Sequence, residues 1–149
     1  MVNFIKIHSC DKNMAKITNE ELIKKAASVI SPKNLKNDLV GNVGCALLSR
    51  NGKVYTGVCV GVNSNGYCAE RVAIAKMITD DKEFVIKKIV ATKKDENGKI
   101  FVIPPCGHCR QCMGETDEKN LETEVILDKN KTVKLKELLP YFDWWKKQD

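Results

Sequence analysis

The chain has 149 residues, which is enough for one compact domain and hardly enough for two. Hydrophobic residues make up 43% of it and charged residues 30%, as in ordinary globular proteins, and no apolar run reaches the roughly 20 residues that span a bilayer. The net charge is +6, but the lysines are interleaved with acidic residues, which indicates solvated surfaces rather than a basic stripe for nucleic acid.

Residues 1–17 show no clear helix or strand pattern and no secretory signal, so we expect a poorly structured extension on a cytoplasmic protein. Residues 18–149 are then expected to form a single domain. A capping box, Thr18 to Glu21, indicates the start of its first helix; in it a hydroxyl precedes a carboxylate by three residues. Apolar residues at helical spacing then predict an amphipathic helix over 19–30, and Ser31-Pro32 ends it.

A strand pair is predicted next. Residues 43–49 are apolar and residues 53–61 are rich in β-branched and aromatic side chains, while Asn51-Gly52 between them favours a tight hairpin turn. A polar loop over 62–66 leads to a helix over 68–79, which is apolar on most sides and is therefore expected to be buried.

The second half of the chain alternates further strands with short helices. Strands are predicted over 85–92, 100–103, 124–127 and 131–135, and helical segments over 106–113 and 136–139. Pro104-Pro105 separates the second of these strands from the first of these helices. Such alternation predicts a layered α/β domain with a mixed sheet.

The cysteines carry the strongest chemical signal. There are seven, an odd number with uneven spacing, which favours a metal site or catalysis over a disulfide framework. Cys106 and Cys109 stand three residues apart at a predicted helix start, and Cys68 begins another helix. Three protein ligands on zinc leave a fourth position open for water, and Glu70, two residues after Cys68, could reach that water.

The charge balance of such a site needs compensation. Three thiolates on Zn²⁺ leave a net charge of −1, which weakens the metal as a Lewis acid. The N-termini of both predicted helices and the side chain of Arg71 oppose this effect, because each offers hydrogen-bond donors to the sulfurs.

Two motifs in this order, Cys68-Ala69-Glu70-Arg71 and Pro105-Cys106-Gly107-His108-Cys109-Arg110-Gln111, resemble those of the cytidine deaminase superfamily. The resemblance runs from about Val43 to Pro140 and is greatest with blasticidin S deaminases and small homotetrameric cytidine deaminases. It implies a three-layer αβα sandwich around a central mixed five-stranded sheet. It also implies one Zn²⁺ per chain, a homotetramer, and hydrolytic deamination of the cytosine ring in a free nucleoside or analogue, with neither nucleic acid nor membrane as partner.

The resemblance assigns roles at the metal. Cys68, Cys106 and Cys109 would bind zinc, and Arg71 would steady the thiolates. Glu70 would take a proton from the water, pass it to ring nitrogen N3 and then carry one to the leaving amine.

The resemblance also assigns substrate contacts. The main-chain N–H of Ala69 would meet the pyrimidine C2 oxygen, the carbonyl of Pro104 would accept from the amino group, and Phe142 and Trp144 would help close the pocket. The family's ribose-binding Asn-x-Glu is replaced here by Cys59-Val60-Gly61, so the preferred substrate is expected to differ from plain cytidine.

Other interpretations of the cysteines and of the reaction stay open. Cys112 extends the spacing toward an iron–sulfur run, although a fourth cysteine is missing there, or it could complete a four-cysteine structural zinc with Cys68. A non-catalytic zinc module that binds nucleic acid and a polynucleotide cytosine deaminase are the two alternatives in function. His108 is expected to line the pocket rather than bind the metal.

Overall fold

The computed structural model describes residues 17–36, 38–62 and 65–149. Of the predicted N-terminal extension, only Ile17 falls inside these ranges, and it packs against the hydrophobic core; residues 1–16 lie outside them. Within the described ranges, no helix combines the length and the apolarity needed to cross a membrane.

Helices and strands follow each other along the chain much as predicted, with several short additions. They are α1 (Asn19–Ser28), β1 (Lys33–Leu35), β2 (Asp38–Val40), β3 (Val43–Ser49), β4 (Val54–Val58), β5 (Val60–Val62), β6 (Asn65–Tyr67), α2 (Ala69–Asp81), β7 (Ile86–Lys94), β8 (Ile100–Ile103), α3 (Gly107–Thr116), a 3-10 helix (Glu118–Glu122), β9 (Glu124–Asp128), β10 (Lys131–Lys134) and α4 (Leu135–Leu138).

Two local sequence signals act as expected. The hydroxyl of Thr18 accepts a hydrogen bond from the Glu21 N–H at 3.2 Å, and the Glu21 carboxylate accepts one from the Thr18 N–H at 2.7 Å. This reciprocal pair is the predicted capping box, and it satisfies N–H groups that the helix itself cannot pair. Gly52 adopts a positive φ of 85° in the turn between β3 and β4, where a side chain would be strained.

The region between β4 and α2 differs from the prediction. The single strand expected over 53–61 is interrupted at Cys59, and its last part pairs as β5 with β6. Residues 62, 65 and 66, which were predicted as loop, therefore lie in strands. The Cys59 N–H still donates to the Val43 carbonyl at 3.0 Å, while the Cys59 carbonyl accepts from the Gly41 N–H at 2.9 Å. The pairing with the start of β3 therefore continues through the interruption, and β5 and β6 form a separate hairpin in front of α2.

The main sheet is mixed, as predicted. Five strands lie side by side in the order β10-β9-β7-β3-β4; β7 and β9 are parallel and the other neighbours are antiparallel. A sixth strand, β8, pairs with the C-terminal part of β7. It lies on the same edge of β7 as β9, which pairs with the N-terminal part. The nine residues of β7 are long enough for two short partners on one edge, and this adds one strand to the expected five.

Helices cover both faces of the sheet and complete the predicted three layers. Along β3 the side chains alternate: Cys45 and Leu47 belong to the core under α2, and Ala46 belongs to the core under α1. The first core also takes in Met113 of α3 and Leu135 of α4, so the second helical layer holds three of the four α-helices found in the described ranges. Because successive side chains of a strand point to opposite faces, α2 and α3 pack on one face of the sheet and α1 packs on the other.

A glycine sets the height of α2 above the sheet. A Cβ at Gly57 of β4 would lie 2.6 Å from both the Ala69 carbonyl oxygen and the Ala73 nitrogen. The helix can approach the strand this closely only because residue 57 has no side chain. The N-terminus of α2 is thereby pressed onto the end of β4, beside the start of α3.

Candidate metal centre

The three cysteines predicted to share a metal converge in the structure. Their Sγ atoms all lie within 4.8 Å of one another, and those of Cys68 and Cys106 are 3.7 Å apart. Cys68 is the N-cap of α2, Cys106 is the N-cap of α3, and Cys109 lies buried in the first turn of α3. Neither helix start has a side-chain cap, so main-chain N–H groups and the positive ends of two helix dipoles are available to the sulfurs.

The protonation of the cluster fits a metal site. Burial raises the pKa of the Cys68 thiol, and burial followed by the charge of Glu70 raises the pKa of the Cys109 thiol. At Cys106 burial acts the same way, but hydrogen bonds involving Cys109 and Cys68 outweigh it and lower the pKa of that thiol. Thiolates in such surroundings need a compensating positive charge, and a sulfur-preferring divalent cation such as zinc supplies it.

Arg71 contributes a second observation in favour of a cation held by thiolates. Its guanidinium joins the two cysteine-bearing segments: Nη2 donates to the Gly66 carbonyl at 2.8 Å, and Nη1 lies 3.5 Å from Nε2 of His108. The guanidinium also stacks on the Tyr67 ring, 5.2 Å from its centre. Its Nε is buried, and among the described residues it has no hydrogen-bond partner. A donor of this kind suits a neighbouring thiolate.

Glu70 lies in the first turn of α2, with only 5% of its surface exposed. Burial raises the pKa of its carboxyl, and this outweighs the opposing effects of its own main-chain N–H, of Cys109 and of Arg71. Behind it lies the fully buried Cys45, whose pKa is raised by its own burial and then by the Glu70 charge. The structure thus combines a desolvated carboxyl group, suited to exchanging protons, with three convergent sulfurs.

Two of the predicted substrate-contacting residues lie next to the clustered cysteines in the sequence, and the other two lie in the C-terminal segment. Ala69 is fully buried at the first position of α2, and Pro104 is exposed immediately before the buried Pro105. Phe142 lies against α3 at Gly114, where a Cβ would come within 2.9 Å of its ring. Trp144 is 62% exposed and makes an edge contact with another exposed aromatic residue, Tyr141.

The fourth cysteine of the structural-zinc alternative does not join the cluster. Within the described ranges, the group of potential ligands consists of Cys68, Cys106 and Cys109. Cys112 lies one turn further along α3, where it is half-buried and packs against the hydrophobic core. This arrangement favours a three-sulfur site over a closed four-sulfur one.

Two side chains to which no role was assigned from the sequence contact the segments that carry the clustered cysteines. Tyr67 lies between the predicted loop and the predicted helix and was assigned to neither, yet it carries the Arg71 guanidinium on its ring. Arg110 was part of a motif without a separate role, yet it donates to main-chain carbonyls on two segments. The position of Tyr67 directly before Cys68 was the available signal for the first, and that of Arg110 directly after Cys109 for the second.

Comparison with known protein families identifies the region that carries these residues. The family model described as "Cytidine and deoxycytidylate deaminase zinc-binding region" matches residues 16–123. The chain is 38% identical over 76 residues to a cytidine deaminase of Halalkalibacterium halodurans, covering 49% of this chain and 53% of that protein. It is 40% identical over 72 residues to a probable cytidine deaminase of Dictyostelium discoideum, covering 46% of each. The matched regions span about half the length of these curated relatives.

Solved structures extend the similarity to most of the fold. A cytidine deaminase of Burkholderia pseudomallei superimposes with a TM-score of 0.66 at 26% identity, covering 83% of this chain and 98% of that one. A cytidine deaminase of Mycobacterium leprae gives a TM-score of 0.67 at 23% identity, covering 84% and 99%. The predicted fold class and superfamily resemblance are therefore confirmed.

Proposed function

Since the chain belongs to the cytidine and deoxycytidylate deaminase family, we propose that it hydrolytically deaminates the cytosine ring of a free nucleoside or nucleoside-like compound. Water replaces the amino group at C4, ammonia leaves, and a uracil-type product remains. The observation that carries the proposal is the buried carboxyl of Glu70 beside three sulfurs that converge from two helix starts.

We assign one zinc ion per chain to Cys68, Cys106 and Cys109. When bound, the metal would supply Lewis-acid activation of water at neutral pH. Both helix N-termini would favour the negative charge of the sulfurs, and Arg71 would donate to them from the outer side.

Glu70 is the proposed proton carrier. Its burial keeps bulk water from competing for the proton and brings its pKa closer to neutrality, where a carboxyl group can both accept and release one. It would accept a proton from the attacking water and deliver it to ring nitrogen N3. It would then accept the second proton from the hydroxyl now on C4 and pass it to the leaving amine, so that a C4 carbonyl remains. The carboxyl returns to its starting state when ammonia leaves, so the step balances.

Main-chain groups would orient the ring. We assign the Ala69 N–H to the C2 oxygen and the Pro104 carbonyl to the C4 amino group, because these two groups flank the two cysteine-bearing segments. Proline lacks an N–H but keeps its carbonyl acceptor. Phe142 and Trp144 are proposed as the apolar wall over the ring.

The sugar-binding part of the site supports a substrate other than plain cytidine. At the position of the family's ribose-binding Asn-x-Glu, the thiol of Cys59 donates a hydrogen bond to the side-chain oxygen of Asn42 at 2.9 Å. A buried sugar hydroxyl left without a partner costs about 1–3 kcal/mol. Deoxycytidine and blasticidin S are therefore candidates beside cytidine.

Assembly and location follow from the family resemblance. We propose a homotetramer in the cytoplasm, acting on a small molecule rather than on a polynucleotide. Light scattering coupled to size exclusion would test the assembly, and a labelled cytosine-containing oligonucleotide would test the polynucleotide alternative.

The test of the reaction is a spectrophotometric deamination assay on zinc-containing protein with cytidine, deoxycytidine and blasticidin S. Glu70→Gln keeps the size of the side chain and removes its proton-carrying group, so we expect turnover to fall by about 10²-fold or more. Glu118→Gln, at an exposed position of the 3-10 helix, is the matched control and should retain wild-type turnover.

Zinc content completes this test. Purified protein should contain about one equivalent per chain, and Glu70→Gln should contain as much because it keeps all three sulfurs. Protein without zinc, or Glu70→Gln with undiminished turnover, would rule out the proposed chemistry.

A further inference from the structure

Arg110 joins two parts of the chain that are distant in sequence. Its Nε donates to the Pro105 carbonyl at 2.8 Å, and its Nη1 donates to the Leu138 carbonyl at 3.2 Å. Pro105 is buried between the proposed ring-binding residue Pro104 and Cys106, whereas Leu138 ends α4. The planar guanidinium can donate in two directions at once, which a lysine ammonium on a flexible stem does less well.

A second contact lies on the same face of α3. Gly114 follows Arg110 by four residues, and residues at this spacing share one face of a helix. A Cβ at Gly114 would lie 2.9 Å from Cε2 of Phe142, so the aromatic ring rests in a notch that only glycine provides. The C-terminal segment, residues 138–142, therefore lies over the Arg110–Gly114 face and is held at both of its ends.

These contacts define a role that the metal and proton chemistry does not use. We propose that Arg110 is a positioning residue: it holds the Pro104-Pro105 segment and the C-terminal segment together against α3, so that the C-terminal segment forms part of the substrate site. The inference rests on the proposed deamination. Arg110 would act through the Pro104-Pro105 segment and through Phe142, without touching the substrate or the metal.

The first experiment removes the guanidinium. Arg110→Met should raise KM about tenfold while kcat changes less than threefold, because substrate placement is lost and the proton carrier is kept. Its zinc content should equal that of the wild type, since the three cysteines remain. Gln111→Met is the matched control on the same helix; the Gln111 side-chain amide donates to Glu115 at 2.7 Å at an exposed position, and KM should not change.

A second readout is independent of activity. Hydrogen exchange of residues 139–149, followed by mass spectrometry, should become faster in Arg110→Met and remain unchanged in Gln111→Met. If the wild type turns over no cytosine compound, the proposed function fails, and the exchange result still decides whether Arg110 holds the segment. Unchanged exchange, or a KM within twofold of the wild type in an active enzyme, would overturn the inference.

Two further variants separate positioning from general destabilisation. Arg110→Lys keeps the charge but offers a single ammonium, so its KM and exchange rate should fall between those of wild type and Arg110→Met; it also serves if Arg110→Met does not fold. Gly114→Ala should displace Phe142 and raise KM in the same way. Arg110→Met and Gly114→Ala release the same segment, so their effects on KM should not add in the variant that carries both changes. Full additivity would contradict the proposal.

Discussion

Asn120 is expected to be one of the most sensitive positions for stability. It is fully buried in the 3-10 helix, where its Oδ1 accepts from the Ile86 N–H at 2.7 Å. Its Nδ2 donates to the carbonyls of Phe84 at 3.0 Å and Met113 at 2.9 Å. One side chain therefore connects the beginning of β7 to α3, the helix that carries two of the three clustered cysteines.

Asn120→Ala removes all three hydrogen bonds and leaves main-chain groups without their side-chain partner. Each buried group that loses its partner costs about 1–3 kcal/mol, so with partial relaxation we expect a loss of about 3–5 kcal/mol in the free energy of unfolding. For a domain of this size the melting temperature should fall by about 10 °C.

The assay is urea unfolding of zinc-saturated protein, monitored by far-ultraviolet circular dichroism. The slope of the free energy of unfolding against urea concentration should be the same for the variant and the wild type. Asn130→Ala, at an exposed position between β9 and β10, is the matched control and should stay within about 0.5 kcal/mol of the wild type. A loss below about 1 kcal/mol for Asn120→Ala would refute the reasoning, since the three contacts would then contribute no more than one ordinary hydrogen bond.

Two further predictions concern metal binding and acid stability. Cys106→Ser should lose most of its zinc, whereas Cys112→Ser on the same helix should retain wild-type content; metal analysis after gel filtration distinguishes them. The pKa of Asp81 lies below its ordinary value because Lys53 donates a hydrogen bond to the carboxylate. A lowered pKa in the folded state stabilises the fold above the ordinary value of 3.8, and this contribution is lost as pH falls through the lowered value. Thermal melts between about pH 6 and about pH 3 should therefore show a steeper acid loss for the wild type than for Asp81→Asn; equal slopes would contradict this.

Short-range signals predicted much of the fold. The capping box at Thr18 and the turn at Gly52 each depend on groups within three residues, and both occur where expected. The strand 43–49 was predicted with its observed ends from its short apolar run, most of which is buried in the structure. The break at Cys59 was not predictable in the same way, since residues on either side of it have equal strand propensity.

The sequence also predicted which side chains belong together in the candidate site. Motif spacing selected the three cysteines, and the structure brings their sulfurs together. The second motif included Arg110 but did not indicate its role, and neither motif included Asn120. The partners of both side chains are main-chain groups on other segments. A main-chain carbonyl has the same chemistry in every residue, so no residue type in the sequence marks it as a partner.

By itself, the sequence determined the order of the longer helices and strands, the helix starts and the identity of the metal-binding candidates, because these depend on side-chain type and on hydrogen bonds between near neighbours. The tertiary structure alone decided that sulfurs 38 positions apart in the chain would lie 3.7 Å apart. It also decided that Glu70 would be desolvated and that one edge of β7 would take two partners. Burial and distant contacts depend on which surfaces meet when two helices pack on one face of a sheet, and that is a property of the whole packed domain.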